Sequence, residues 1–286
     1  MRCYVCGKET HPRQRYCDRC RIFVTDTKEQ MKRRAALREA YDQDHDGFRC
    51  HWSGILLDEI DRDGPFSLCF DHLVPVRTSK LVVSSALFNL MKCELTDEEF
   101  LLAIKELADH LRGQEFDKNL IKFTHWNVKA PSPTGPGRRP GNKGLGKVNV
   151  PECIICGRPP LHWSYYCSRC RPFVVMHPHA KRLHARAMRE AWSKEQDGFC
   201  CHYTGVRLNE RDTRSPWFLS FDHGIPGDDQ TLVVAAFWVN AMKTALSEAE
   251  FWAVVLEYDR YLREGGEFDR DVAEFRYWKR TRGKRT

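Results

Sequence analysis

The chain has 286 residues, and 46 Lys and Arg against 39 Asp and Glu give it a formal net charge of +7. No apolar run approaches the roughly 18 residues that span a bilayer, which excludes a transmembrane helix, and the moderate basic charge suits a polyanionic partner without requiring one. The 13 Cys begin at position 3 with no apolar signal segment before them, which predicts a soluble protein of a reducing compartment, the cytoplasm, whose paired Cys hold metal.

The first half of the chain carries a set of landmark residues that returns about 150 residues later. Each copy contains two Cys-x-x-Cys pairs, a Cys-His-aromatic-hydroxyl-Gly stretch, a Phe-Asp-His triplet and an Asn-x-Met-Lys stretch. Each copy is long enough to bury a core of its own. The sequence therefore predicts a tandem repeat with one domain over residues 1–128, a second over residues 150–286, and a monomer that forms an internal pseudo-dimer.

Residues 129–149 separate the two copies and are rich in Pro and Gly. Too few of them are apolar to pack, so they predict a flexible, basic linker. The chain ends in a second basic stretch, KRTRGKR over residues 279–285. We interpret this tail as a phosphate-binding arm or as a solvated end.

Two quartets of Cys have the spacing of a metal site. In each, two Cys-x-x-Cys pairs are separated by ten residues, and four thiolates suit the tetrahedral coordination of zinc. A redox dithiol and free core Cys are the alternatives. A four-sulfur site has no open position, so two structural zinc ions are predicted to hold small treble-clef or ribbon knuckles. The ligands would be Cys3, Cys6, Cys17 and Cys20, and Cys153, Cys156, Cys167 and Cys170.

Other residues near the quartets have simpler interpretations. The basic side chains of the knuckles either contact phosphate or are solvated: Arg13, Arg15, Arg19 and Arg21, with Arg158, Arg169 and Arg171 as partial equivalents. The Cys outside the quartets are predicted to be buried as small apolar residues: Cys50, Cys69, Cys93, Cys200 and Cys201.

After each quartet the sequence alternates between helical and strand patterns. The predicted elements are helices over about residues 27–41 and 180–192, strands over Phe66–His72, Leu81–Val83, Phe218–His223 and Leu232–Val234, and helices over Phe88–Leu95 and Phe237–Leu246. Asn and Lys three positions apart share one face of the helix that follows the second strand in each copy. Asp and His are thus expected at the end of one strand, with Asn and Lys on the helix behind it.

This strand-strand-helix unit resembles the HNH, or ββα-metal (His-Me finger), endonuclease family. The resemblance covers roughly residues 45–100 and 196–251. It rests on Cys50-x-x-Ser53-Gly54, Asp71-His72-x-x-Pro75 and Asn89 in the first copy, and on Cys201-x-x-Thr204-Gly205, Asp222-His223-x-x-Pro226 and Asn240 in the second. It implies an α+β fold of two repeated domains, each with a four-cysteine zinc knuckle, a ββα-metal HNH-like core and a helical cover.

The resemblance also implies a chemistry for each site residue. His72 and His223 would be the general bases that activate water. Asp71 and Asp222 would hold one catalytic Mg²⁺ or Mn²⁺ per copy, with Asn89 and Asn240 completing the protein ligands. Lys92 and Lys243, one helical turn later, would point toward the phosphate. The implied function is a metal-dependent endonuclease that cuts DNA at two centres in one chain, through paired nicks or on branched substrates, with RNA not excluded.

One departure from the family keeps two alternatives open. The third signature residue, a His or Asn beyond the central Asn, has no matched candidate, because the two copies offer Glu98 and Ala249 at that place. One alternative is a non-catalytic, zinc-stabilised nucleic-acid-binding protein on a retired HNH fold. The other is that one half cuts and the second positions substrate, since Gly224 and Gly227 replace Leu73 and Val76.

The segment after each site predicts a capped helix and a closing element. Thr96 with Glu99, and Ser247 with Glu250, have the spacing of capping boxes. An apolar stripe on the first of these helices predicts a core face. Phe116, Phe123 and Trp126 match Phe268, Phe275 and Trp278, and each set is expected to close the core of its own copy. His51 and His202 also recur; they either line the site or pack, and packing is the interpretation we favour.

Overall fold

The computed structural model describes residues 1–24, 29–76, 78–131, 150–175 and 180–278. Most of the predicted linker and the whole basic tail lie outside these ranges, so both interpretations stay predictions. The described chain is a mixed α and β structure with four two-stranded antiparallel sheets. None of its helices is long and apolar enough to cross a bilayer.

The two halves repeat one order of elements. In the first half these are α1 (Asp18–Val24), α2 (Gln30–Ala40), β1 (Tyr41–Asp42), β2 (Gly47–Phe48), β3 (Leu68–His72), β4 (Leu81–Ser85), α3 (Ala86–Lys92) and α4 (Asp97–Leu111). In the second half they are α5 (Arg171–Val175), α6 (Lys181–Ala191), β5 (Trp192–Ser193), β6 (Gly198–Phe199), β7 (Leu219–His223), β8 (Leu232–Ala236), α7 (Phe237–Lys243) and α8 (Glu248–Glu264).

The hairpin that carries Asp and His has the same register in both halves. Asp71 lies opposite Val82 in the β3–β4 pair, and Asp222 lies opposite Val233 in the β7–β8 pair. A helix follows each hairpin directly, because β4 runs into α3 and β8 into α7. The predicted strand-strand-helix order is therefore present twice, with longer second strands than expected and with helices that end at Lys92 and Lys243.

Local sequence explains where these helices stop. Cys93 and Thr244 follow the last helical residues and have positive φ angles of 51° and 56°, in the left-handed region that a helix cannot continue through. The chain turns there and enters the next helix through the predicted capping boxes. Both boxes are present, at Thr96 with Glu99 and at Ser247 with Glu250. The start of the long helix in each half is thus fixed by its own capping residues.

The closing elements pack on the opposite half, which corrects the expectation that each closes its own core. Phe116 lies 5.9 Å from Trp217 and 6.2 Å from Trp238, centroid to centroid. In return Phe268 lies 5.3 Å from the ring of Phe88, and Phe275 contacts Phe66 at 5.4 Å. Each segment nevertheless stays tied to its own long helix, because buried glutamates such as Glu106 accept backbone N–H bonds from it, here from Asp117 at 3.2 Å.

Because the closing element of each half packs on the other half, the two halves share one core. The buried apolar side chains of the described residues form one cluster that contains members of both halves. Tyr258 of α8 contacts Phe88 and Phe100 of the first half and donates a hydrogen bond to the Trp52 carbonyl at 3.0 Å. Arg112 at the end of α4 pairs with buried Asp259 of α8 at 2.6 Å. The expected division into two separate cores is therefore wrong, while the domain boundaries stay a prediction.

Candidate metal centres and candidate active site

Each Cys quartet converges on one point. The four sulfur atoms of either set lie within 4.8 Å of one another, and Cys156 and Cys167 are 3.5 Å apart, sulfur to sulfur. Backbone hydrogen bonds, working against burial, lower the pKa of Cys3 and of Cys153 to about 7. Burial and the neighbouring thiols raise the pKa of Cys20. Four such thiols ionise together only when a cation offsets their charge, so the donor set fits two structural zinc ions.

Two Arg side chains join the knuckles to the rest of each half. Arg19 bonds to Glu59 and to Asp46, the latter at 2.8 Å. Arg169 bonds to Glu210 and to the Asp197 carbonyl, the latter at 3.0 Å. Both guanidinium groups are mostly shielded from solvent. Each therefore links its knuckle to the rest of its half and is not placed to contact a phosphate.

Asp71 lies at the end of β3, with its carboxylate largely buried. One oxygen, Oδ1, accepts the backbone N–H of His72 at 2.8 Å. The other, Oδ2, is buried without a hydrogen-bond partner. Burial raises the pKa of Asp71, and the nearby charge of Lys92 opposes that shift. Hard divalent cations prefer carboxylate oxygens as ligands, and at Oδ2 such an ion would compete with the ammonium group of Lys92, which lies 3.4 Å away.

Lys92 and Lys243 do not point toward solvent, which corrects their expected contact with a phosphate. Lys92 is 0% exposed, and Lys243 is 1% exposed. Nζ of Lys92 lies 3.4 Å from Asp71 Oδ2 and donates to the His72 carbonyl at 2.7 Å. Lys243 makes the matching contacts. Its Nζ lies 3.2 Å from Asp222 Oδ2 and donates to the His223 carbonyl at 2.9 Å. Each Lys thus neutralises a buried carboxylate and holds the strand end in place.

His72 is oriented by a chain of hydrogen bonds. Its Nδ1 lies 3.1 Å from Ser79 Oγ, and that hydroxyl donates to the Val74 carbonyl at 2.7 Å. Because the hydroxyl proton is already used, Ser79 must accept the proton of Nδ1–H, which assigns the tautomer from the network. In the neutral ring with this tautomer, Nε2 carries the lone pair that a general base requires. His223 differs, because its Nε2 lies 3.0 Å from Asp229 Oδ1.

The two Asn residues also differ between the halves. Asn240 donates its amide hydrogens to the Phe221 carbonyl at 2.9 Å and to Ser220 Oγ at 3.3 Å. It therefore braces α7 against β7. Asn89 is half-buried and lines the same groove as Asp71 and His72. The first half thus brings the three predicted residues together at one surface, whereas the second half uses its Asn as a support.

Tyr203 is the residue that sequence reasoning missed. Its hydroxyl donates to Asp222 Oδ2, and Lys243 donates to Asp222 Oδ1 at 3.3 Å. Both oxygens of the Asp222 carboxylate therefore have donors. Trp52 holds the matching place in the first half, where the ring lies under Lys92 at 5.6 Å. The difference is visible in the sequence, as CHWSG against CHYTG, but the pattern does not say where the hydroxyl points.

A groove of about 730 Å³ passes in front of the first site and is built from both halves. Asp71, His72 and Asn89 line it. The other lining residues include Phe70 of β3 and Pro75 after it, Glu94 just after α3, Ala241 and Thr244 at the end of α7, and Trp126 and Trp278 of the two closing elements.

His51 and His202 pack against aromatic rings, and His202 also forms a hydrogen bond with Glu248. Their rings contact Trp52 and Tyr203 edge to face, at 4.7 and 5.0 Å, as expected. His202 Nε2 further lies 2.9 Å from Glu248 Oε1 at the start of α8. This hydrogen bond raises the pKa of His202 and lowers the pKa of Glu248. Both side chains are more than one-third exposed.

In a comparison with known proteins, no protein-family model, curated protein or solved structure matches the chain.

Proposed function

We propose that the protein is a metal-dependent endonuclease of the HNH type that hydrolyses phosphodiester bonds in nucleic acid at the groove of the first half. The observation that carries the proposal is the Oδ2 atom of Asp71, buried and without a hydrogen-bond donor, beside a His whose Nε2 keeps its lone pair. A carboxylate with unused acceptor capacity and a general base are the two groups that this chemistry needs.

In the proposed reaction each residue has one task. Asp71 and Asn89 would hold Mg²⁺ or Mn²⁺ through side-chain oxygens, and the ion would supply stabilisation of the charge that develops on the scissile phosphate and the leaving oxygen. His72 takes a proton from the attacking water at Nε2 while Ser79 fixes the ring. Lys92 positions both residues, because it contacts the Asp71 carboxylate and the His72 carbonyl.

The second half supports catalysis less well. Asp222 has donors on both oxygens, and Nε2 of His223 is engaged by Asp229. We propose that this half braces the groove and contributes the end of α7 to its wall. The interpretation with two catalytic centres stays a prediction that the variants in the Discussion test.

The second candidate is a non-catalytic, zinc-stabilised nucleic-acid-binding protein. One observation favours it: the ammonium group of Lys92 is already within 3.4 Å of Asp71, so the carboxylate has part of its charge balanced before any metal binds. In that case the ion pair serves stability alone.

Cleavage of a supercoiled plasmid and of a single-stranded circle separates the two candidates. The zinc-loaded protein is incubated with Mg²⁺, with Mn²⁺ or with no added divalent ion. The enzyme proposal expects nicks or linear product only with an added ion, and expects Asp71→Asn to abolish cutting. Binding without cutting under all conditions, on both DNA forms, would contradict the proposal and support the binding protein.

A further inference from the structure

The groove in front of Asp71 is flanked by aromatic side chains that the exchanged segments deliver. Trp126 and Trp278 both line it and are half-buried. Trp126 is held edge to face by Phe237 of the opposite half at 5.7 Å. Trp278 is held by a hydrogen bond from its Nε1 to the Asp63 carbonyl at 3.0 Å. Both indoles are thus fixed in place by contacts that cross between the halves.

Charge is distributed unevenly around this groove. Among the described residues that line it, none is Lys or Arg, and the charged ones are Asp71 and Glu94. A groove that tracks the phosphate backbone of a duplex or of a single strand is lined with cations. Cations lie beside the groove instead, on α2. Lys32 Nζ is 3.4 Å from the Ser79 carbonyl, and the Arg33 guanidinium lies 5.0 Å above the ring of Phe70, which lines the groove.

From this arrangement we infer that the groove binds a single-stranded DNA segment whose unpaired bases stack on Trp126 and Trp278, while its backbone passes the proposed metal site at Asp71 and continues beside Lys32 and Arg33 of α2. Aromatic rings take any base, because every base has a π face, and nearby cations hold the backbone. A paired base has its faces covered by its neighbours in the duplex, so the groove selects single strands, flaps or open branches. The inference rests on the proposed function in that it names the substrate class of the same site.

Binding can be measured without cleavage. The probe is a fluorescein-labelled single strand of about 12 nucleotides, within the range of sites that one such groove covers, and the control probe is a blunt-ended duplex annealed from two complementary strands of the same length. Anisotropy is followed with Ca²⁺ in place of Mg²⁺. We expect the single strand to bind at least about tenfold more tightly than the duplex. Trp126→Leu and Trp278→Leu should each lose about 5- to 150-fold in affinity for the single strand, the range expected when one stacked base is lost.

Two further variants control for damage to the fold. Trp126→Phe and Trp278→Phe keep an aromatic face and should retain most of the affinity. Trp163→Leu, on the second knuckle and 48% exposed, should bind as the wild type does. Equal or tighter binding of the duplex, or single-strand affinity that is unchanged in both Leu variants, would overturn the inference.

The outcome is separable from that of the proposed function. Trp-dependent binding of single strands without any cutting in Mg²⁺ or Mn²⁺ supports the inference and rejects the enzyme. Cutting of fully paired DNA at a rate unaffected by either Leu variant supports the enzyme and rejects the inference.

Discussion

Tyr203 donates its hydroxyl hydrogen to Asp222, whereas Trp52, the residue at the same place in the other half, leaves Asp71 without that donor. The difference between Tyr and Trp at this position thus gives the Asp71 and Asp222 carboxylates different environments. In the second half the carboxylate is satisfied within the protein. In the first half Oδ2 of Asp71 is buried, accepts no hydrogen bond and lies 3.4 Å from the Lys92 ammonium group.

Replacing Tyr203 by Phe should open the second carboxylate. Loss of a buried hydrogen bond to a charged group is expected to lower the free energy of unfolding by about 1–3 kcal/mol, measured by urea denaturation. The variant should also bind one more Mn²⁺ than the wild type, counted by electron paramagnetic resonance of free Mn²⁺. Trp52→Phe is the matched control and should leave the Mn²⁺ count unchanged. An unchanged count in Tyr203→Phe would mean that the hydroxyl does not restrict Asp222.

The buried pair of Lys92 and Asp71 should be coupled in stability. Lys92→Met leaves the carboxylate buried without a counter-charge, and we expect a loss of about 3–5 kcal/mol in the free energy of unfolding. The double variant Asp71→Asn with Lys92→Met should recover a large part of that loss, because no unpaired charge remains. Lys243→Met should be milder, since Asp222 keeps its bond from Tyr203. A double variant no more stable than Lys92→Met alone would show that the two side chains are not coupled.

Truncating the Phe116 side chain should destabilise the second half, on which the ring packs. The ring is 6% exposed and packs on Trp217 and Trp238, so Phe116→Ala is expected to destabilise the protein by about 3–5 kcal/mol. Hydrogen exchange followed by mass spectrometry should show faster exchange over residues 217–243. Leu120→Ala, in the same segment but 42% exposed, is the control. Faster exchange confined to the first half would contradict the exchanged packing.

His202 and Glu248 should stabilise the protein within a limited pH window. The pKa of His202 is raised above 6.5, so its contribution is complete below that value and is lost as the pH rises through the folded pKa. The pKa of Glu248 is lowered below 4.5, so its contribution is present above that value and is lost as the pH falls through the folded pKa. The pair is therefore strongest between these two values.

Because both side chains are partly exposed, the pair is expected to contribute less than about 1 kcal/mol. A titration of the His202 ring by nuclear magnetic resonance checks the direction of the shift. Glu248→Gln should bring the pKa of His202 back down toward 6.5. A His202 pKa that is the same in this variant as in the wild type would show that the hydrogen bond does not persist in solution.

Local patterns account for the parts that were predictable from the sequence. Cys spacing places the two sulfur quartets, and the capping boxes at Thr96 and Ser247 fix the starts of α4 and α8, because each depends on residues close together in the chain. Asp71 and His72 fall at a strand end for the same reason. These features need no knowledge of how the halves meet.

The remaining features depend on long-range packing. The aromatic spacing of a closing element, such as the one with Phe116, is compatible with packing on the core of either repeat. The sequence therefore does not reveal that each closing element packs on the opposite half. Helical spacing puts Asn89 and Lys92 on one face but does not say how deep each side chain lies. The ammonium group of Lys92 is buried because the Asp71 carboxylate and a backbone carbonyl receive it.

The measurement that tests the central claim most directly is the rate of single-strand cleavage by His72→Ala and His223→Ala in Mg²⁺, each compared with the wild type at equal zinc content. Removing a general base is expected to slow cutting by about 10²- to 10⁴-fold, so the account predicts a loss of that size in His72→Ala and a rate close to that of the wild type in His223→Ala. Equal losses in the two variants, or a loss in His223→Ala alone, would contradict the assignment of the reaction to the first half.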